Sequence, residues 1–178
     1  MKVILISGHA QNGKDTCAGF MKEILENNGK TALIVHYGDL VKYVCRQYFN
    51  WDGVKDEAGR TLLQYIGTDI VREKSPDFWA AFVAQFAKVF EDHWEYILVP
   101  DTRFPNEVEL MYEVEFEDVI HMRVIRPDFD NGLTEEQKNH ASETALDNYP
   151  ADYHIINDGS LQDLRENLIM LMDKLGVI

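Results

Sequence analysis

Cysteine is scarce: Cys17 and Cys45 are the only two in 178 residues. Their spacing suggests neither a disulfide framework nor a metal knuckle, and each reads as a small buried apolar side chain. Long apolar runs are lacking too, and none approaches the ~20 residues that a bilayer span needs. The opening MKVILIS is too short for a secretory signal. A cytoplasmic protein without a membrane partner is the expectation. Basic residues are few, 17 against 31 acidic, giving a formal net charge of -14. Such a surface repels nucleic-acid backbones, so no DNA or RNA partner is expected. Repeats, low-complexity tracts and long linkers are also absent. The length suits one domain with a real core. The oligomeric state stays open, with a homodimer allowed.

The shortage of cations makes their positions informative. An acidic surface repels an anionic substrate at long range, so a site for one must gather Lys, Arg and backbone N–H groups locally.

What is present is alternation. VILIS (3–7), TALIVH (31–36), YILVP (96–100), VIHMRVIR (119–126) and YHII (153–156) are short β-rich apolar runs. Between them lie helical patterns at about 14–28, 39–49, 58–73, 78–93, 105–115 and 160–175. Residues 127–142 are polar and loop-like, with some helix near 135–139. Strand–helix alternation predicts a five-stranded parallel sheet with helices on both faces, a three-layer α/β fold. Ligands in such sheets bind at the carboxyl ends of the strands, here after Ser7, His36, Pro100 and Ile156.

The sharpest motif follows the first strand. GHAQNGKDT, Gly8 to Thr16, has the spacing G-x-x-x-x-G-K between a strand and a helix. Glycines let the backbone wrap an anion, several N–H groups point inward, and the helix N-terminus adds partial positive charge. Lys14 can then reach the β- and γ-phosphates of a nucleotide. Gly8, Asn12, Gly13, Lys14, Asp15 and Thr16 are therefore candidate donor-binding residues. The hydroxyl that normally follows the lysine is displaced by one, to Thr16, and Asp15 stands in its place. Asp15 either favours the helix dipole or helps hold hydrated magnesium.

A second concentration of cations, Lys42, Arg60 and Arg72, lies between the second and third strands. At this point the chain resembles phage-type deoxynucleoside monophosphate kinases and their bacterial relatives. The matching pieces are GKDT, YGDLVK, R-x-L-L-Q-x-x-G-T-D-x-x-R from Arg60 to Arg72, DFW (77–79), DTRFPNE (101–107), HASE (140–143) and NDG (157–159), in that order. DTRFPNE and the Arg60–Arg72 run are the most specific.

The resemblance implies one P-loop kinase domain over 1–178, with an acceptor-binding helical insertion at about 38–93 and a lid at about 127–142. It implies ATP as donor, Mg2+ as its companion, and small nucleotides as substrates. It assigns Gly8, Gly13, Lys14 and Thr16 to the donor phosphates. Asp39, Lys42, Arg60, Gln64, Arg72 and Arg103 fall near the acceptor. Asp101 and Arg103 stand between the two, with Thr16 and Asp101 toward the metal. Lys14, Asp101, Arg103 and Arg126 form the expected catalytic set. A phosphate acceptor asks for bidentate arginines, and phosphoryl transfer for positioning and charge neutralisation. Asp101 is suited either to orienting magnesium and its waters or to binding an acceptor hydroxyl.

Each of these residues also has a plainer role open to it. Lys42 fits a solvated helix face, and Arg60 and Arg72 fit pairs with Asp56, Glu57 or Glu73. Asp101 and Arg103 fit a pair with each other. Trp79 and Phe82 read as core, His140 as a structural histidine, and Asn157-Asp158-Gly159 as a turn, beside the adenine or merely before the last helix. The lid has Lys138 but no arginine; Arg123 and Arg126 on the preceding strand are the nearest guanidinium groups. Phosphomevalonate, dephospho-coenzyme A, or a non-catalytic nucleotide-binding module are the alternatives to a monophosphate kinase.

Overall fold

The computed structural model describes residues 1–177. Five strands, β1 (Lys2–Ser7), β2 (Ala32–Ile34), β3 (Tyr96–Val99), β4 (Asp118–Ile125) and β5 (Tyr153–Ile156), form one parallel sheet in the order β2-β3-β1-β4-β5. β1 pairs with β3 on one side, Leu5 opposite Val99, and with β4 on the other, Ser7 opposite Arg123. The order reverses at β1, so a crevice opens at its carboxyl end, where doubly wound sheets bind ligands.

β1 and β3 are buried on both faces, which explains their unbroken apolar runs, whereas the edge strand β5 fully buries only Ile155. Ile4 and Ile6 point to one face, where α1 (Lys14–Asn27) and α9 (Leu161–Lys174) cover them with Met21, Leu25 and Leu168. Val3 and Leu5 point to the other face, under Val83 and Ala84 of α5 (Phe78–Val89) and Val108 of α6 (Pro105–Glu113). Each fully buried Leu or Ile contributes roughly 1.5–3 kcal/mol. The three-layer plan expected from alternation is the one observed.

Between β2 and β3 lie α2 (Tyr37–Tyr48), α3 (Glu57–Gln64), a π-helical turn (Tyr65–Ile70), α4 (Val71–Lys74) and then α5. They close a separate small core of Val41, Cys45, Trp51, Ile66 and Trp79. The helix expected over 58–73 is thus continuous but widened in the middle. The wide turn leaves the Gly67 carbonyl to accept from the Trp79 indole N–H at 2.8 Å. Residues after β4 carry two short helices, α7 (Glu135–Lys138) and α8 (Ala141–Thr144).

Three expectations need correction. The second strand ends at Ile34 and α2 begins at Tyr37, earlier than 39, because Asp101 accepts the Tyr37 and Gly38 N–H groups and starts the helix there. α5 stops at Val89, short of 93; beyond its end Phe90, His93 and Trp94 pack against one another and back onto Phe86 of its last turn. Phe82 is not core but 48% exposed, on the outer side of α5. No helix among the described residues is long and apolar enough to cross a membrane.

Candidate active site

The glycine loop leaves β1 at Ser7 and enters α1 at Lys14. Gly8 adopts φ +136°, and a Cβ there would lie 2.3 Å from the Val124 carbonyl oxygen. Gly13 adopts φ +96°, and its notional Cβ would meet Asn157 Nδ2 at 2.7 Å. Both positions therefore require glycine. Asn12 tethers the loop: its Nδ2 donates to Val124 O at 3.0 Å, and its own carbonyl accepts from Asn157 Nδ2 at 2.9 Å. NDG thus touches the loop, beyond merely turning the chain. Thr16 is exposed on the first turn of α1.

Lys14 is buried, and its Nζ donates to the Gly8 and His9 carbonyls at 2.7 and 2.8 Å. Burial, aided by the nearby Arg103 guanidinium, lowers its pKa to about 8. The ammonium is therefore held by neutral partners beside a loop shaped for anions.

Arg103 follows β3 and reaches across the same edge. Its Nη1 donates to the Glu143 carboxylate and to the Ser142 carbonyl, at 2.9 Å for the latter. It does not pair with Asp101. The other Glu143 oxygen accepts the backbone N–H of Ala10 in the loop at 2.7 Å. His9 and Asp147 add a second link, between the loop and the chain after α8, at 2.7 Å.

A cavity of about 430 Å³ opens on the far side of Arg103, floored by Val41, Leu63 and Trp79 and edged by Lys42, Lys55, Arg60 and Arg72. Gln64 and Thr68 also face it, one turn apart. Arg72 bonds the carboxylate of Glu107, lies 3.9 Å above the Phe104 ring, and is only 12% exposed in its side chain. Glu107 also accepts the backbone N–H groups of Arg103 and Phe104 at 2.7 and 3.0 Å. Burial pushes its carboxyl up to about 7, against the pull of Arg72 and those N–H groups. Lys42 pairs with Asp39 at 2.7 Å, and Arg60 Nε donates to the Lys55 carbonyl at 3.1 Å. The acids beside them in sequence, Asp56, Glu57 and Glu73, are not the partners of Arg60 or Arg72.

A second cavity of about 280 Å³ lies over the loop, walled by Arg126, Phe129 and Asn131. It shares Arg103, Ser142 and Glu143 with the first. The Arg126 guanidinium stacks on Phe129 at 3.7 Å. Arg123 also lines this cavity, but its guanidinium is engaged: it donates to the carbonyls of Leu146, Asp147 and Tyr149 and fixes the chain after α8.

A family model for deoxynucleotide monophosphate kinase matches residues 51–168. The chain belongs to the deoxynucleotide monophosphate kinase family. Its similarity to the enzyme of that name from Enterobacteria phage T4 is 34% identity over 107 residues. That match takes in 59% of this chain and 41% of the phage protein, so the chain spans less than half the relative's length. Among solved structures, the Mycobacterium tuberculosis APS kinase in complex with AMPPNP and APS is 17% identical with a TM-score of 0.56, each chain covered to 97%. Dephospho-CoA kinase from Campylobacter jejuni aligns at 12% identity and TM-score 0.53, over 98% of this chain and 97% of that one. Shikimate kinase from Aquifex aeolicus aligns at 12% and 0.51, over 99% of both. The fold is that of P-loop kinases.

Of the residues singled out in the sequence, Lys42, Arg60, Gln64, Arg72, Asp101 and Arg103 line the first cavity and Gly8, Asn12, Arg103 and Arg126 the second, whereas Gly13, Lys14, Asp15, Thr16 and Asp39 line neither. Asp101 is the exception in kind, because both its oxygens accept backbone N–H groups of α2 at 2.9 Å. It ties the insertion to the end of β3. Asp15 bonds His36 at 2.9 Å, which lowers its pKa and raises that of His36. His36 in turn lies 3.4 Å from Asp39, so one polar chain runs from Asp15 to Lys42. Sequence reasoning missed Lys55, Phe104, Glu107 and Glu143 as parts of the site. Phe104 and Glu107 lie within DTRFPNE, and Glu143 within HASE. What was lacking was the tertiary partner that gives each a role. His140 has the structural role expected, capping α8 by accepting from Ser142 N at 3.2 Å.

Proposed function

We propose that the protein transfers the γ-phosphoryl group of ATP to the phosphate of a (deoxy)nucleoside monophosphate, giving the diphosphate. The observation that carries this reading is the pair of cavities meeting at Arg103, one over a glycine loop and one edged by Lys42, Lys55, Arg60 and Arg72. In a chain of net charge -14, that concentration of cations is local provision for anions at two adjacent places.

The donor's phosphates lie along Gly8–Thr16. Lys14 leaves the Gly8 and His9 carbonyls for the β- and γ-phosphates, exchanging neutral acceptors for charged ones. The acceptor occupies the larger cavity, its phosphate toward Arg103 and its base toward Gln64 and Thr68. Arg103 bridges acceptor and transferring phosphates, a task matched to a planar fork of donors. Arg72, already neutralised by Glu107, acts chiefly by holding Phe104 and the Arg103 backbone in place. Residues 38–93 form the acceptor-binding insertion and 127–142 the lid, with Arg126 as its guanidinium.

Magnesium fits this site as a donor-borne ion. Among the described residues no cluster of three His, Cys, Asp or Glu could hold a metal alone, which suits an ion held mainly by phosphates and water. Thr16 supplies a hydroxyl and Asp15 a nearby carboxylate for its shell; the ion would neutralise phosphate charge.

The test is ATP with a panel of ribo- and deoxyribonucleoside monophosphates, phosphomevalonate and dephospho-coenzyme A, followed by product chromatography. Diphosphate from at least one monophosphate is expected. Turnover of phosphomevalonate or dephospho-coenzyme A alone would replace the acceptor assignment, and no turnover of any acceptor would leave only a nucleotide-binding module.

A further inference from the structure

Glu143 lines both cavities and bonds both sides of the passage between them. One carboxylate oxygen accepts the Ala10 N–H, a group of the phosphate loop, and the other accepts Arg103 Nη1. Its side chain is only 10% exposed. Backbone N–H groups of such a loop and a converging guanidinium are what an anion site consists of. In this structure the anion in it is the Glu143 carboxylate.

We propose that Glu143 is a built-in competitor of the donor's terminal phosphate: it fills that phosphate's site, engages Arg103, and must swing out before transfer. This rests on reading the loop as the donor site. Ala10 borders the acceptor cavity, whereas α1 begins at the other end of the loop, so the contested position is the one nearest the acceptor. A terminal phosphate carries more negative charge than a carboxylate and more acceptor oxygens. The two cannot share one N–H and one guanidinium, because like charges at contact distance repel strongly where water is excluded. Departure of Glu143 frees Arg103 for the phosphates. It also lifts α8, because Glu143 sits on that helix. Donor binding and rearrangement of the lid segment are thereby one event. Glu143 is in this sense a positioning residue: it holds Arg103 and sets donor affinity without touching the reacting atoms in the transfer complex.

The test is calorimetric binding of AMPPNP and of ADP to the full chain and to Glu143→Gln, with steady-state kinetics alongside. The amide keeps the shape and loses the charge. AMPPNP is expected to bind about tenfold more tightly to Glu143→Gln, a difference of about 1.4 kcal/mol. ADP, which lacks the terminal phosphate, should change less than about threefold. Asp147→Asn removes a carboxylate from the same segment that contacts His9 instead, and controls for a general change of field. Glu143→Asp keeps the charge but is too short to span Ala10 and Arg103, and should also tighten AMPPNP binding several-fold. Unchanged or weaker AMPPNP binding in the Glu143 variants overturns the proposal. So does an equal gain in Asp147→Asn. A large loss of kcat at constant AMPPNP affinity would instead make Glu143 a working part of the closed complex. Failure of every form to bind AMPPNP would overturn the donor reading itself, and this inference with it.

Discussion

Raising pH should weaken donor binding in a way that reports Lys14 alone. In the unliganded chain, burial and the Arg103 guanidinium hold this ammonium at about 8. Phosphates arriving at hydrogen-bonding distance stabilise the charged form and return the pKa toward its ordinary value near 10.4. The sign follows directly: the complex holds the proton more tightly than the free protein, so binding takes a proton up. At pH 8 about half of the free chains lack that proton, and binding should take up about 0.5 proton, rising to about 0.9 at pH 9. Affinity is then undiminished well below pH 8 and falls by up to about tenfold per unit above it, until the bound-state pKa is reached. Calorimetric titration with AMPPNP in buffers of different ionisation enthalpy measures the uptake. Working at pH 9 keeps the nucleotide's own phosphate largely ionised. Lys14→Ala should abolish the uptake and should lose turnover by orders of magnitude while remaining folded. Zero uptake between pH 8 and 9, or the same uptake in Lys14→Ala, would refute the reasoning.

The buried Arg72–Glu107 pair should be structural before it is catalytic: above about pH 7, where Glu107 is ionised, Glu107→Gln leaves Arg72 uncompensated, costs about 3–5 kcal/mol, and should lower the thermal midpoint by about 10 °C. A shift under about 2 °C in a melting curve would contradict the burial argument. Arg103→Lys keeps a charge but not the fork of donors, and should lose about a hundredfold in kcat/KM for the acceptor, equivalent to roughly 3 kcal/mol. Its AMPPNP affinity should change much less; the opposite pattern would move Arg103 to the donor site. Residues 127–142 should exchange amide hydrogens readily in the free protein and gain protection in a bisubstrate-analogue complex, because a closed lid excludes water from transfer. No added protection there would count against a lid.

The central strands β1 and β3 were legible because they are buried on both faces, so their runs are short, apolar and bounded by glycine, proline or polar residues; the more exposed β5 was legible from its short β-rich run alone. β5 falls at Tyr153–Ile156, the four residues read from the sequence. Helix ends were less legible, since tertiary contacts set them. α2 starts where Asp101 can accept two N–H groups, a fact invisible along the local sequence. The glycine loop was legible because its demands are local: glycines with positive φ at its two ends, Gly8 and Gly13, and a lysine at a fixed offset. The partners of the arginines were not. Arg72 pairs with a carboxylate 35 residues away and Arg103 with one 40 residues away, so inspection of adjacent acids pointed to the wrong ones. Arg123 illustrates the same limit. On an alternating strand its number alone does not say whether it meets a ligand or three carbonyls.

The central claim is direct phosphoryl transfer from ATP to a nucleoside monophosphate. It is tested most directly by following γ-labelled ATP with the acceptor mixture. The account predicts label in a nucleoside diphosphate with the unmodified protein and none with Lys14→Ala. Label appearing only as inorganic phosphate, or transfer that survives the loss of Lys14, would contradict it.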